Sequence, residues 1–479
     1  MKKLFKTEDW WSVWIGLCVF VVSLFTLVGA DLLGWGVKTN VWMDLGKALG
    51  VVSKAYAGLP GFVALILTFL FMLIIMSVGA KVLGMNLRKF VIGFTIIWWI
   101  AYLCWLIGSW APIAVNTPAD MQKFGINFSL RLTGESGFII ALLVGLVIGN
   151  FFKGFAGYLK EATRPEWYIK TAIVILGAGL GVKAASSTGL ATAVLFRGLC
   201  AIVEAYLIYW ALVYFVSRRF FKFSPEWSAV LASGISVCGV SAAIATGGAI
   251  RSRPVVPVMV ASLVVIFAVV ELIILPALAA AILPSQPMVA GAWMGLAVKT
   301  DGAAVASGAI TDALIRGKAA EIGIKWQEGW MLMAATTTKV FIDMFIGIWA
   351  FVLAVVWTTV IDRKPGEKAA GAGEIWNRFP KFVVGYFLTF VIMLVLGLIS
   401  PNLIDKLKLA SGEADVFRVL FFVLTFFSIG LVSDFKQLRA EGIGRLAVVY
   451  LVCLFGFILW IGLAISFIFF HGLTPPLAG

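Results

Sequence analysis

Ionisable side chains inside apolar segments are costly, so by default they mark function. This chain has several. In the Gly-rich stretch 291–308, GAWMGLAVKTDGAAVASG, Lys299, Thr300 and Asp301 stand together and are followed by Gly302. Lys299 can attract an anion while Asp301 balances it in the empty state; the alternative is a pair that only fixes packing. In the next apolar segment Thr336, Thr337, Thr338 and Lys339 precede Asp343. Lys339 and Asp343 fall on one helical face and are expected to pair. The Thr hydroxyls suit an oxyanion or a dehydrated cation, although Thr also bonds back to its own helix. Glu271, in FAVVELIILP, reads equally as a proton-coupling carboxylate or a partnered structural acid. Arg197 and Glu204 share a face and read as a structural bridge to another helix.

A second kind of signal is a weakened helix. From Ser233 to Pro254 the chain runs SGISVCGVSAAIATGGAIRSRP, interrupted by Gly234, Gly239, Gly247 and Gly248. Lipid offers no partner to freed backbone groups, so such a break survives only inside protein or beside a water-filled cavity. Carriers build substrate sites from broken helices: half-helix N-termini attract anions and freed carbonyls attract cations. Ser236, Cys238 and Ser241 add small polar groups. A small-residue helix packed closely on a neighbour is the competing reading.

These features must be positioned by membrane helices. The 479 residues are 62% hydrophobic and 13% charged, with mean hydropathy +1.03, which indicates an all-α polytopic membrane protein. The apolar runs are continuous over ~20 residues, which excludes a β-barrel. A net charge of +14 is not gathered into a basic stripe, so nucleic acid is not expected; membrane orientation and anion attraction explain it. The first apolar span is too long for a signal peptide and reads as an uncleaved helix. Five cysteines, all within apolar spans, form no CxxC pair, and one histidine, His471 at the terminal edge, excludes a histidine relay. No Walker, HExxH or GxSxG motif appears, so an enzyme is not expected.

Read in order, the hydropathy predicts about thirteen spans: 10–34, 59–79, 90–113, 136–152, 170–183, 187–217, 225–250, 254–283, 287–314, 328–360, 379–400, 415–433 and 446–470. Segment 36–58 reads as an interfacial connection and 362–377 as a flexible loop. Residues 1–115 hold extra helices, 136–283 a first repeat, 284–361 the second broken segment and charged helix, 362–378 a cytoplasmic loop, and 379–471 the second-repeat helices. The Lys and Arg distribution favours a cytoplasmic N-terminus. Arg251 and Arg253 fall on the wrong side unless 225–250 turns back.

A faint internal repeat supports a carrier. LLVGLVIGN at 142–150 resembles LVLGLIS at 394–400, and LGAGLGVKAASSTG at 176–189 resembles FSIGLVSDFKQLRAEG at 427–442. Their offsets, 252 and 251, agree to one residue, and the copies are expected to have opposite orientation.

At these motifs the chain resembles a bacterial family of conserved hypothetical membrane proteins described as sulfate exporters, over roughly 136–470. Its GLxxGN is met by Gly145 to Asn150, and its SICGxSA by Ser236 to Ala242. Its GIVLLG is echoed by Ile173 to Gly177, and its KxTRV loosely by Thr336 to Val340. Where that family has HDTAQV, this chain has Lys299 to Ala304, with the His replaced and the acid shifted. The N-terminal ~115 residues exceed the usual family length. More distantly, the Gly-Leu helix ending at Asp434-Phe435 is similar to bile-acid-type and cation/proton-antiporter-type carriers. That likeness implies a panel domain and a core with two crossing discontinuous helices, working as an elevator. Crossing helices of an inverted repeat run antiparallel, whereas 225–250 and 287–314, counted as spans, run parallel; either one re-enters or the count is off by one.

The combined expectation is a secondary active transporter of a small anion, a sulfur oxyanion or organosulfonate, in the bacterial inner membrane. Ser236, Cys238, Gly239, Ser241, Lys299, Thr300, Thr337, Thr338 and Lys339 would bind it; Asp301, Glu271 and Asp343 are coupling candidates. No cofactor is expected, the coupling ion is Na⁺ or H⁺, and a homodimer is left open. A cation/proton antiporter-like carrier and an anion channel are the alternatives.

Overall fold

The computed structural model describes residues 7–115, 118–130, 136–253, 255–361, 380–433 and 444–478. The loop expected at 362–377 and the pair Asp434-Phe435 lie outside them. Fifteen helices organise the described chain. The first six are α1 (Glu8–Val28), α2 (Gly61–Val82), α3 (Leu87–Gly108), α4 (Ser136–Phe151), α5 (Pro165–Ser186) and α6 (Thr188–Arg219). Then come the short α7 (Pro225–Ser236) and α8 (Gly239–Ala249), the long α9 (Val255–Ile282), α10 (Pro287–Ala297) and α11 (Asp301–Glu321). The last four are α12 (Trp330–Val356), α13 (Lys381–Ile399), α14 (Pro401–Val432) and α15 (Gly444–Phe470). Ten of these are long and apolar enough to cross a membrane. Of the thirteen expected spans, 136–152 ends in a 114° bend after α4, and 225–250 and 287–314 are the two helix pairs α7–α8 and α10–α11.

Neither pair runs on in one direction. Ser233 in α7 and Thr246 in α8 share a hydrogen bond of 2.7 Å, although an uninterrupted helix would set them roughly 20 Å apart. Arg253, beyond the end of α8, reaches Glu226 in the first turn of α7 at 2.9 Å. The segment therefore turns back, and Arg251 and Arg253 return to the end of the molecule that holds Lys222. In the second pair, Gly291 of α10 faces Met331 and Gly308 of α11 faces Leu332 and Ala335. Gly295 in turn lies against Ala335, and Asp301 lies beside Lys339. Thus α10 runs with α12 and α11 runs against it, which makes a second hairpin. The 28-residue α9 joins the base of one hairpin to the base of the other. In place of two crossing discontinuous helices, the fold has two hairpins that meet tip to tip.

Beside the hairpins stands a group of four helices. Gly145 and Gly149 of α4 bring its backbone against Phe427 to Leu431 of α14, and Gly430 in turn faces Leu142 and Leu146. Residue numbers rise together, so α4 and α14 are parallel. The same holds for α5 and α13, where Gly177 faces Tyr386 and Thr389 and Gly181 faces Phe390 and Met393. Small residues at such contacts let backbones approach closely where no hydrophobic effect drives association. Phe138 stacks on Phe426 with centroids 5.0 Å apart, adding aromatic contact to the α4–α14 seam.

The N-terminal helices clasp this group. Asp9 of α1 lies 3.3 Å from Lys170, and Glu8 lies 3.0 Å from Arg164, fixing the start of α1 at the start of α5. At its far end Thr26 donates to the buried Glu413 at 3.1 Å. The connection expected at 36–58 contains a small antiparallel pair, Val37–Thr39 with Leu49–Val51.

Candidate functional site

Both hairpin tips leave helical geometry at a few residues. Val237 and Cys238 interrupt the first, with Cys238 extended at φ −144°. Val298 to Thr300 interrupt the second, with Thr300 extended at φ −117°. Each interruption frees carbonyls at the end of one leg and N–H groups at the start of the next, and at this depth all need partners. The Gly239 N–H donates to the Lys299 carbonyl at 2.6 Å, so the tips are bonded to each other. Gly239 is required there: a Cβ would sit 2.9 Å from Val264 Cβ and 3.3 Å from the Lys299 carbonyl oxygen. The Thr300 hydroxyl accepts from Ala303 N–H at 3.2 Å and caps α11. The N-termini of α8 and α11 thus converge, and each carries partial positive charge.

Lys339 lies on one side of this junction. Its ammonium donates to the Val237 carbonyl at 2.6 Å and lies 3.4 Å from both Asp301 Oδ1 and Asp343 Oδ1. Only 1% of its side chain is exposed. The Cys238 thiol donates to Asp301 Oδ1 at 2.6 Å. The expected Lys339–Asp343 pair is present. Asp301, however, pairs with Lys339 rather than with its neighbour Lys299. The chain path explains this: Asp301 is the first residue of α11 and faces α12, whereas Lys299 lies in the extended tip. Cys238, Asp301 and Asp343 each offer a ligand atom within 4.8 Å of the other two, a set that can hold a cation.

Lys299 lies on the other side. Its ammonium donates to the Leu296 carbonyl and stands 4.3 Å from the centroid of the Tyr209 ring, a cation–π contact. Among the described residues no carboxylate oxygen lies within 4.0 Å of it. The Lys299 backbone N–H donates to Glu271 Oε2 at 3.2 Å, and Glu271 Oε1 accepts from the Tyr450 hydroxyl at 3.0 Å. Glu271 is therefore tied to the second tip, although its own sequence neighbourhood is wholly apolar.

The remaining expected residues divide. Ser236 is fully buried at the first tip, and its hydroxyl has no hydrogen-bond partner among the described residues; Ser241 is half-buried in the first turn of α8. Thr336 and Thr338 bond back to Leu332 at 2.7 Å and Ala334 at 2.9 Å, so their hydroxyls serve α12 itself. Thr337 faces Gly198 of α6, away from the tips. Of the two residues read as a bridge to another helix, Arg197 reaches one, donating to the Phe469 carbonyl of α15 at 2.8 Å, whereas Glu204 is buried without a hydrogen-bond partner among the described residues. A π-helical turn runs from Glu204 to Tyr209, a distortion that spacing alone does not reveal. Tyr206, Tyr209 and Tyr450, which line the two lysine sites, were missed because single tyrosines in apolar helices give no pattern.

A cavity of about 20 Å³, room for roughly one water, lies beside the second tip between Glu166 and Ile169 of α5, Ala268 of α9, Thr300 and Gly302, and Thr425 of α14. A larger cleft of about 490 Å³ opens at the other end of α5 and contains Lys183, Glu328, Lys408, Asp415 and Arg418.

These features define a polytopic all-α membrane protein with paired helical hairpins and a buried charged junction. The chain belongs to the family described as conserved hypothetical protein 698, whose model matches residues 127–449. It is 45% identical over 476 residues to a UPF0324 membrane protein of Nitrosomonas europaea, covering 98% of this chain and 97% of that protein. It is 29% identical over 413 residues to a UPF0324 membrane protein of Rhodopirellula baltica, covering 85% and 66%. A protein of Archaeoglobus fulgidus is 56% identical over 164 residues, covering 30% of this chain and 87% of that protein. The N-terminal helices precede the family match but are shared with the Nitrosomonas protein. No solved structure matches the chain.

Proposed function

We propose that this protein is a secondary active carrier of a small anion, a sulfur oxyanion or organosulfonate, bound where the hairpin tips meet. The observation that carries this reading is the environment of Lys299. It is a buried ammonium beside the second tip, held by the Leu296 carbonyl at the end of α10 and by the Tyr209 ring, and by no carboxylate among the described residues. An anion entering there gains a charge partner that no carboxylate already occupies. Ser236, Cys238, Gly239, Ser241 and Thr300 are the nearby polar groups, and Lys339, already shared by two aspartates, holds the tips in register.

Alternating access of elevator type fits the architecture. Each hairpin is followed by a long helix, α9 or α12, and the hairpin bases lie at opposite ends of α9. The helices carrying the sequence repeat, α4 and α13, run in opposite directions, because α4 is parallel to α14 and α14 folds back on α13. Such opposed copies are a carrier feature. With an N-terminus in the cytoplasm, the returning Arg251 and Arg253 join Arg218, Arg219 and Lys222 on the inner side, in keeping with the positive-inside rule.

A second reading, a cation carrier, is favoured by one observation: the Cys238, Asp301 and Asp343 ligand atoms within 4.8 Å of one another. Thermal-shift measurements on the purified protein with sulfate, sulfite, taurine, isethionate, carboxylates, Na⁺ and K⁺ separate the two, since specific binding raises apparent stability. A shift with a sulfur anion that is lost in Lys299→Ala is expected. A shift with Na⁺ alone overturns the anion reading.

A further inference from the structure

Glu204 lies in the middle of the 32-residue helix α6, is 1% exposed, and has neither carboxyl oxygen hydrogen-bonded among the described residues. A carboxylate ionised in that position would need a cation beside it. The surrounding helices are built around it. Its π-helical turn meets a second one, Leu454–Ile458, where the Tyr209 hydroxyl donates to the Ile458 carbonyl at 2.8 Å. Gly462 of α15 faces both side chains: a Cβ there would lie 2.7 Å from Tyr209 Oη and 3.3 Å from Glu204 Oε1. Over the Tyr209 ring stands the Lys299 ammonium, 4.3 Å from its centroid. The titratable and charged groups facing Glu204 are thus Lys299 from the second tip and Tyr209 and Cys200 from its own helix; α10 presents Trp293 and α15 presents Gly462.

We propose that Glu204 is the proton-binding site of the carrier and competes with the transported anion for Lys299. The inference rests on the anion reading above. With Glu204 protonated, Lys299 is free to take the anion. When the anion leaves, the Glu204 O–H bond breaks, its proton passes to water, and the resulting carboxylate pairs with Lys299, which keeps its charge throughout. Proton and anion are then bound and released together, one for one, and by linkage each raises the affinity for the other.

Two measurements on the full-length purified protein test this. The first is infrared spectroscopy of the carbonyl stretch of protonated carboxylic acids. A band lost in Glu204→Gln and displaced in Glu204→Asp is expected; an unchanged spectrum in both overturns the proposal. The second is sulfate- and taurine-induced thermal stabilisation from acid to alkaline pH. The wild type is expected to lose at least tenfold in apparent affinity as pH rises, whereas Glu204→Gln, a fixed mimic of the neutral acid, keeps its affinity. An equal loss in both overturns the proposal. If the wild type responds to no anion at any pH, it is the anion reading that fails, and the infrared result alone decides whether Glu204 holds a proton.

Discussion

The two buried lysines have similar sequence settings and opposite duties. Lys339 neutralises Asp301 and Asp343 and holds the Val237 carbonyl, so removing it leaves two buried carboxylates unpaired. We expect Lys339→Met to destabilise the protein by about 3–5 kcal/mol, read as a large drop in melting temperature, and Lys339→Met with Asp343→Asn to recover part of it. The Lys299 ammonium has no carboxylate within 4.0 Å among the described residues. Lys299→Ala is expected to fold with a near-native melting temperature and to lose anion-induced stabilisation; an unfolded or fully responsive variant refutes that division. The pairing of Lys339 with Asp343 was legible because helical spacing fixes which residues share a face. The partners of Asp301 and Glu271 were not, because they come from elements 38 and 179 residues away in sequence. Glu204 was misassigned for a related reason: burial without a partner is a tertiary property.

At the scale of elements, hydropathy located every helix that positions the site, and glycines marked both breaks. What hydropathy cannot encode is the direction taken after a break. A hairpin and a broken crossing have the same composition, and Ser233 meeting Thr246 is a contact no local pattern contains. The hairpin makes a topological prediction. In a Cys18→Ser background, cysteines introduced at Lys222 and Arg251 are expected to react with an impermeant thiol reagent from one side of the membrane, and a cysteine at Ser285 from the other. If 225–249 crossed instead, Arg251→Cys would label opposite to Lys222→Cys, and Ser285→Cys would label with the latter. The α4–α14 seam makes a second prediction. A Cβ on Gly430 would come within 2.7 Å of the Leu146 N, and backbone cannot yield as a side chain does. Gly430→Ala is expected to cost about 1–3 kcal/mol, seen as a lower melting temperature with the anion response intact.

For the whole molecule, the hairpins and the four-helix group meet differently from the way each packs within itself. Inside the group, glycines let backbones touch where α4 meets α14 and where α5 meets α13. Across the boundary, the second tip meets α5 and α14 through Gly302, Ile169 and Thr425, beside a cavity large enough for roughly one water. A thin, imperfectly packed boundary is what one body needs to slide past another. The same place offers a way to stop it. A Cβ on Gly302 would lie 3.6 Å from Ile169 Cβ, within the separation a disulfide spans. Ile169→Cys with Gly302→Cys is therefore expected to crosslink on oxidation. In proteoliposomes loaded with the anion found by thermal shift, the oxidised protein should lose exchange while retaining anion-induced stabilisation, and reduction should restore exchange. Each single cysteine should be insensitive to oxidation. Exchange that persists in fully crosslinked protein would mean that the tip does not move against α5, and an elevator would give way to local gating by the hairpins themselves.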